Sequence, residues 1–286
     1  MKKILVLTDF SDNANHAAQV AARMALRLQT DLLLYNAYLK APMIPVLAEK
    51  PWSSEGDLSW GDSAVEKLDL LAGELRLEIE NMAEDERRPK VFCSYGEGDL
   101  GVSVKNLCKE HHIDLVVMGS RAGGSINHLF FGSDSGSVIN QACVPVLVIP
   151  PKNELDSIDH IMLATNFNTG DWEAVKYLVA LSEIFKSEIN IVHVQLSADE
   201  PDVSEQERAK FLKHLNQLHN SKISYHQIRG RNVLTRLSHL CKESRADVLA
   251  LVHHKRSLLE GLLQQSVSKK ALSAQKLPLL IFPSMS

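Results

Sequence analysis

This chain contains its own pattern twice, and that decides most of what it can become. Lys3–Phe10 (KILVLTDF) lines up with His160–Phe167 (HIMLATNF) at an offset of 157, which also sets Ala17 on Ala174 and Leu32–Tyr35 on Ile189–Val192. Further on the match resumes at an offset of 133. There Leu107 and Cys108 meet Leu240 and Cys241, Glu110 meets Glu243, Asp114 meets Asp247, and Pro145–Pro150 meets Pro278–Pro283. Self-similarity on this scale predicts two units of one fold, residues 1–151 and 158–286, joined near Pro151–Ser157. With 286 residues to share, either unit can bury its own core. The fall in offset leaves the second unit about 24 residues shorter in the middle, and the missing piece matches Leu39 to about Asp62.

Within the first unit, strand-like and helix-like segments alternate. Apolar runs at Ile4–Leu7, Leu32–Ala37, Lys90–Tyr95, Asp114–Met118 and Val144–Ile149 read as strands. Between them, Asn13–Leu28, Ala64–Glu84, Leu100–His111 and Ser133–Gln141 carry apolar residues at helical spacing, the first capped by Ser11 or Asp12. Strands alternating with helices predict a parallel sheet covered on both faces. The expectation is an α/β protein of two tandem, doubly wound, five-stranded domains. Ligands of such sheets bind at the carboxyl ends of strands, where the winding direction switches. The first strand ends at Thr8-Asp9 and the fourth at Met118-Gly119, so both reach one crevice.

Composition narrows the class. Hydrophobic residues at 45% and charged residues at 23% are ordinary globular values. A net charge of −4 and a pI near 6.3 argue against a nucleic-acid binder, which carries a basic face. No apolar run approaches the roughly 18 residues of a membrane span, so no membrane is expected as a partner. In MKKILVLTDF, Asp9 arrives too early for a signal-peptide core, so the segment reads as a first strand. Cys93, Cys108, Cys143 and Cys241 show neither CxxC nor zinc spacing and are expected as small core residues. That usage fits a reducing, cytoplasmic setting.

The stretch Asp114–Pro151 carries the chemistry. A short buried strand stops at Gly119, a glycine-containing loop follows, and a helix start falls near Gly132-Ser133. Backbone N–H groups of such a loop, with the partial positive charge of a helix N-terminus, form an anion site. Gly119 permits a sharp turn, Gly132 a close approach to the backbone, and Ser133 and Ser135 offer hydroxyls. The spacing Gly119-x2-Ala122-x9-Gly132-Ser133, closed by a Pro-Val-Leu-Val strand, resembles the universal stress protein family. Its ATP-binding members carry Gly-x2-Gly-x9-Gly-Ser/Thr. Ala122 stands where the second glycine is expected, adding a methyl that costs roughly 1 kcal/mol if the position needs positive φ.

The resemblance covers nearly the whole chain, and what it implies is specific. The fold would be the Rossmann-like one of the adenine nucleotide alpha hydrolases. The first unit would bind an adenine nucleotide, ATP, as a conformational ligand, with Mg2+ accompanying the phosphates. Asp9, between Thr8 and Ser11, would hold the base, with backbone near Ala37 and Met118 assisting. Gly119, Ala122, Gly132, Ser133 and Ser135 would surround the phosphates. From the residues alone, Asp9 reads equally as a cap or turn carboxylate for the following helix. Family members pair their last strands across a two-fold axis, so Val144–Ile149 and Leu279–Phe282 would pair here within one chain as a pseudo-dimer. A homodimer is a further hypothesis. No general base stands out, so slow hydrolysis is the most that is expected of it.

The second unit reads differently. Val252, Lys255 and Gln265 stand at the positions of Gly119, Ala122 and Gly132, with Ser266 retained opposite Ser133 and Asn166 opposite Asp9. Bulky side chains in place of glycine argue against a phosphate site there. Gly96-x-Gly98-x2-Gly101 spells a dinucleotide fingerprint, but it follows the third strand rather than the first and reads as a tight turn. His111 and His112 point in different directions on a helix and read as a C-terminal cap. No P-loop, GxSxG, HExxH or kinase-like set occurs. The alternative to nucleotide binding is an interaction protein using the Trp-bearing segment Leu39–Asp62 or the loop His253–Arg256.

Overall fold

The computed structural model describes residues 3–38, 55–82, 87–120, 133–196, 205–218, 220–253 and 277–283. Ten strands form a single sheet in the order β3-β2-β1-β4-β5-β10-β9-β6-β7-β8. The first half contributes β1 (Lys3–Leu7), β2 (Asp31–Tyr38), β3 (Val91–Glu97), β4 (Leu115–Gly119) and β5 (Val146–Ile149). The second contributes β6 (His160–Ala164), β7 (Glu188–Gln195), β8 (Ile223–Arg229), β9 (Val248–Val252) and β10 (Leu279–Phe282). Within each half every pairing is parallel, in the order 3-2-1-4-5. The halves meet at the one antiparallel pairing, β5 with β10, where Leu279 faces Val148 and Ile281 faces Val146. This is the pairing of closing strands that the resemblance implies, made inside one chain.

Helices cover both faces. On one side lie α1 (Asp12–Leu28), α2 (Glu55–Met82), α5 (Thr169–Phe185) and α6 (Glu205–Gln217). On the other lie α3 (Leu100–Glu110), α4 (Ser133–Gln141) and α7 (Val233–Glu243). Strand alternation divides the core between them: Ile4, Val6, Leu32 and Leu34 pack under α1 and α2, while Leu5, Leu7 and Leu33 pack under α3 and α4. Both cores run through the seam into the second half. Because both faces are covered, the strands read as unbroken apolar runs rather than alternating ones.

The expected boundaries hold within a few residues, with one larger difference. Helix α2 starts at Glu55, nine residues before the expected Ala64, so the C-terminal part of the extra segment in the first half is helical. Residues 39–54 of that segment lie outside the described residues. Helix α1 is capped by Ser11 and ends on Gln29 in the left-handed region. His111 caps α3 through its amide, and His112 follows at φ 53°, as a C-terminal cap requires. Cys108 and Cys241 are buried and Cys93 half-buried, but Cys143, expected in the core, is exposed. It lies in the short connection after α4, where the chain turns outward before β5.

Side chains lock the halves together beyond the strand pair. The Tyr177 hydroxyl reaches the Asp114 carbonyl at 3.5 Å, and its ring meets Phe282 edge-on with centroids 5.4 Å apart. Arg23 of α1 bonds both the carboxylate and the carbonyl of Glu154 in the connecting segment, at 2.9 and 2.8 Å. His253 at the end of β9 meets the Asn140 amide at 2.8 Å.

Candidate functional site

The winding direction switches between β1 and β4, which are hydrogen-bonded neighbours. Their carboxyl ends open onto a cavity of about 510 Å3. The loop after β1 forms one wall and is built from short-range bonds. The Thr8 hydroxyl accepts from the Phe10 amide, and Phe10 sits at φ 62°. The Asp9 carboxylate, through Oδ1, accepts from the Ser11 amide at 3.1 Å and the Ser11 hydroxyl at 2.5 Å. Ser11 in turn accepts from the Ala14 amide and so starts α1. From β2, the buried Asn36 amide bonds the Thr8 carbonyl at 2.8 Å and fixes the loop from behind. Asp9 therefore performs the turn role with one oxygen, while Oδ2 takes no bond from any described residue.

Gly119 makes the opposite wall. A Cβ there would lie 2.5 Å from the Asn13 carbonyl oxygen and 3.1 Å from the Ala14 nitrogen, so β4 ends directly against the first turn of α1. Ser120 follows, held by its amide to the Ile149 carbonyl. Its hydroxyl is buried and has no partner among the described residues. A buried hydroxyl in this condition costs free energy unless something else bonds it. The third wall is the start of α4, with Asp134 and the buried Ser135 in its first turn.

The fingerprint-like glycines border the cavity without forming a dinucleotide turn. Gly98 adopts φ 111°, a left-handed value, which lets the chain reverse between the edge strand β3 and α3. Asp99 caps α3 by accepting from Val102, and also accepts from the Ser137 hydroxyl of α4. The Val102 amide and then Ser137 hold its carboxyl below the usual carboxylate range. Gly101 lets α3 and α4 touch at the backbone, since a Cβ would lie 2.5 Å from the Ser137 carbonyl oxygen.

Of the residues expected at the site, Thr8, Asp9, Ser11, Ala37, Met118, Gly119 and Ser135 line this one cavity. Ser133 begins α4, but its side chain, Ala122 and Gly132 lie outside the described residues. Asn13, Asp99, Asp134 and Ser120 also line the cavity and were not anticipated. Ser120 had a signal, being the first residue past the strand-ending glycine. Asp99 had none, because its strand sits at the sheet edge and only the α3–α4 contact brings it round.

The same loop in the second half repeats much of this geometry, then diverges at one residue. Thr165 accepts from Phe167, which sits at φ 66°; Asn168 donates to Asn166; and His193 meets the Thr165 carbonyl at 2.9 Å in the place of Asn36. Where the first half has Ala14, the second has Asp171, which is 1% exposed. Its carboxylate accepts from the Thr165 hydroxyl at 2.7 Å and from the amides of Asn166 and Asn168 at 3.0 and 3.2 Å. The helix start that is open in the first half thus carries a built-in carboxyl group in the second. Val252, in the place of Gly119, adds bulk there.

A family model for the universal stress protein family matches residues 1–150 and again 157–283. The chain belongs to that family, in a tandem form. Universal stress proteins of Methanocaldococcus jannaschii and Thermus aquaticus are each 28% identical to it, over 54% and 52% of this chain and 85% and 98% of their own. The crystal structure of a universal stress protein from Archaeoglobus fulgidus superposes with a TM-score of 0.70 at 15% identity, covering 98% of this chain and 96% of that one. A likeness at that identity speaks for the fold, here the whole ten-stranded arrangement. No helix among the described residues is long and apolar enough to cross a membrane.

Proposed function

We propose that this universal stress protein binds an adenine nucleotide, ATP with Mg2+, in its first half, as a ligand that sets conformation rather than as a substrate turned over. The observation that carries the reading is the cavity at the β1–β4 switch point, with its buried Ser120 hydroxyl, unpartnered among the described residues. Its lining divides by chemistry. Leu7, Ala14, Ala37, Leu100 and Met118 offer an apolar wall suited to a base, and the free oxygen of Asp9 suits an amino or ribose hydroxyl donor. Ser120, Ser135 and the amides at the start of α4 suit phosphate oxygens.

Charge decides what must accompany the phosphates. Asp9, Asp99 and Asp134 line the cavity, and no Lys, Arg or His does among the described residues. A polyphosphate beside these carboxylates needs a cation between, and Mg2+ takes oxygen ligands of this kind, usually with several waters retained. Asp134, at the helix start, is the carboxylate best placed in the sequence to share it. Among the described residues no group of three metal-ligating side chains exists, so phosphate and water would complete the coordination. The cavity lining includes no His among the described residues, and the reading is of a held ligand rather than a consumed one.

Isothermal titration of ATP with Mg2+ tests this. Asp9→Ala should weaken binding about tenfold, ~1.4 kcal/mol, with little change in melting temperature relative to its Ser11 cap. Chelation of Mg2+ should weaken ATP more than AMP. Equal affinity for ATP with and without Mg2+, or no heat at all, sinks the proposal.

A further inference from the structure

Cys108 and Cys143 lie 35 positions apart in sequence and belong to different elements, yet their side chains meet. After burial, the Cys143 side chain is the neighbouring group that acts on the Cys108 thiol. The packing explains why. Helices α3 and α4 touch at the backbone at Gly101 and Ser137, and Ser137 also bonds Asp99. Both helices run from the same ends of parallel strands, so seven residues onward from Gly101 and six onward from Ser137 the chain arrives at Cys108 and Cys143 together. Cys108 is buried, whereas Cys143 is exposed. One thiol is open to solvent and the other waits behind it.

The remaining cysteines serve as internal controls. Cys241 occupies the position of Cys108 in the second half, but its sulfur lies 3.4 Å from the Met162 sulfur. Lys276 stands where Cys143 would be repeated, so that half has no second thiol to offer. Cys93 is half-buried, and its thiol points to the Leu68 carbonyl at 3.7 Å.

We propose that Cys108 and Cys143 form a peroxide-responsive dithiol that closes to an intramolecular disulfide, stapling α3 to the chain after α4. Hydrogen peroxide is the oxidant. The Cys143 sulfur attacks the peroxide, the O–O bond breaks, and one oxygen stays as a sulfenic acid while the other leaves as water. The Cys108 sulfur then attacks the Cys143 sulfur, the S–O bond breaks, and a second water carries away that oxygen with the Cys108 proton. Two thiols and one peroxide give one disulfide and two waters. Burial and then the neighbouring Cys143 push the Cys108 thiol up to about 12, so it stays protonated and shielded from direct oxidation and gives up its proton only as it attacks. The staple joins the two helices whose first turns, at Leu100 and Ser135, line the cavity.

The full-length protein, treated with a small excess of hydrogen peroxide, alkylated and mapped by mass spectrometry, supplies the test. One cross-link between the Cys108 and Cys143 peptides is expected, with the free thiols falling from the four of the reduced chain to two. The melting temperature should rise in the oxidised form and return on reduction. Cys143→Ser should keep all three remaining thiols under the same treatment, and Cys241→Ser should leave the cross-link unchanged. Sulfinic acid on Cys143 with Cys108 still alkylatable, a disulfide-linked dimer through Cys143, or oxidation of Cys108 in Cys143→Ser would each overturn the proposal.

Discussion

Asp171 and Ala14 occupy the same place in the two repeats, and the difference between them separates the two halves chemically. Asp171 bonds a buried hydroxyl and two half-buried amides. Asp171→Ala should therefore cost about 1–3 kcal/mol, the scale of stranded donors, measured by denaturant unfolding. A loss below 0.5 kcal/mol, the size of an ordinary surface substitution, would contradict that role. The substitution of Asn166 for Asp9 and of Val252 for Gly119 is readable in the sequence as a weakened second site. The part played by Asp171 is not, because it looks like any first-turn helix acid until the backbone folds around it. Likewise Asp9 offered two readings from its neighbours, and only the geometry shows one oxygen committed to Ser11 and the other left over.

At the scale of elements, the helix pair α3 and α4 supports both the cavity wall and the thiol pair. Its closeness depends on Gly101, where any side chain would press into the Ser137 backbone. Gly101→Ala should destabilise by about 1–3 kcal/mol, the range of overpacked contacts, and should also lower the yield of the Cys108–Cys143 cross-link. A variant as stable as the parent, cross-linking as fast, would show that the helices have room to spare. Helices and strands were legible because their apolar spacing is local: α4 begins at the residue expected, Ser133. The start of α2 was not, since Trp60 and the nearby Ser and Gly residues resemble loop chemistry while the segment is in fact helical. Gly96, Gly98 and Gly101 matched a nucleotide fingerprint on spacing alone, and their place at and after an edge strand removes it.

At the scale of the whole molecule, the repeat becomes a continuous sheet because the two closing strands, Val146–Ile149 and Leu279–Phe282, have the same short, fully buried character. The prolines that flank them cannot extend the ladder, so each ends where its partner does. Tyr177 stands across that seam. Burial first, and then the Asp114 carboxylate, raise its phenol above the ordinary tyrosine value. A raised folded pKa means stability fully present below about pH 10, the unfolded tyrosine value, and lost as pH rises through the folded one. Tyr177→Phe should flatten that alkaline loss while leaving stability at pH 7 nearly unchanged; equal alkaline sensitivity in the variant would place the loss elsewhere. The central claim is that one chain with two like halves carries one nucleotide site. Titration of the whole chain with ATP and Mg2+ should give a stoichiometry of about one per chain, with the affinity weakened about tenfold by Asp9→Ala. Two equivalents, or none, would contradict it.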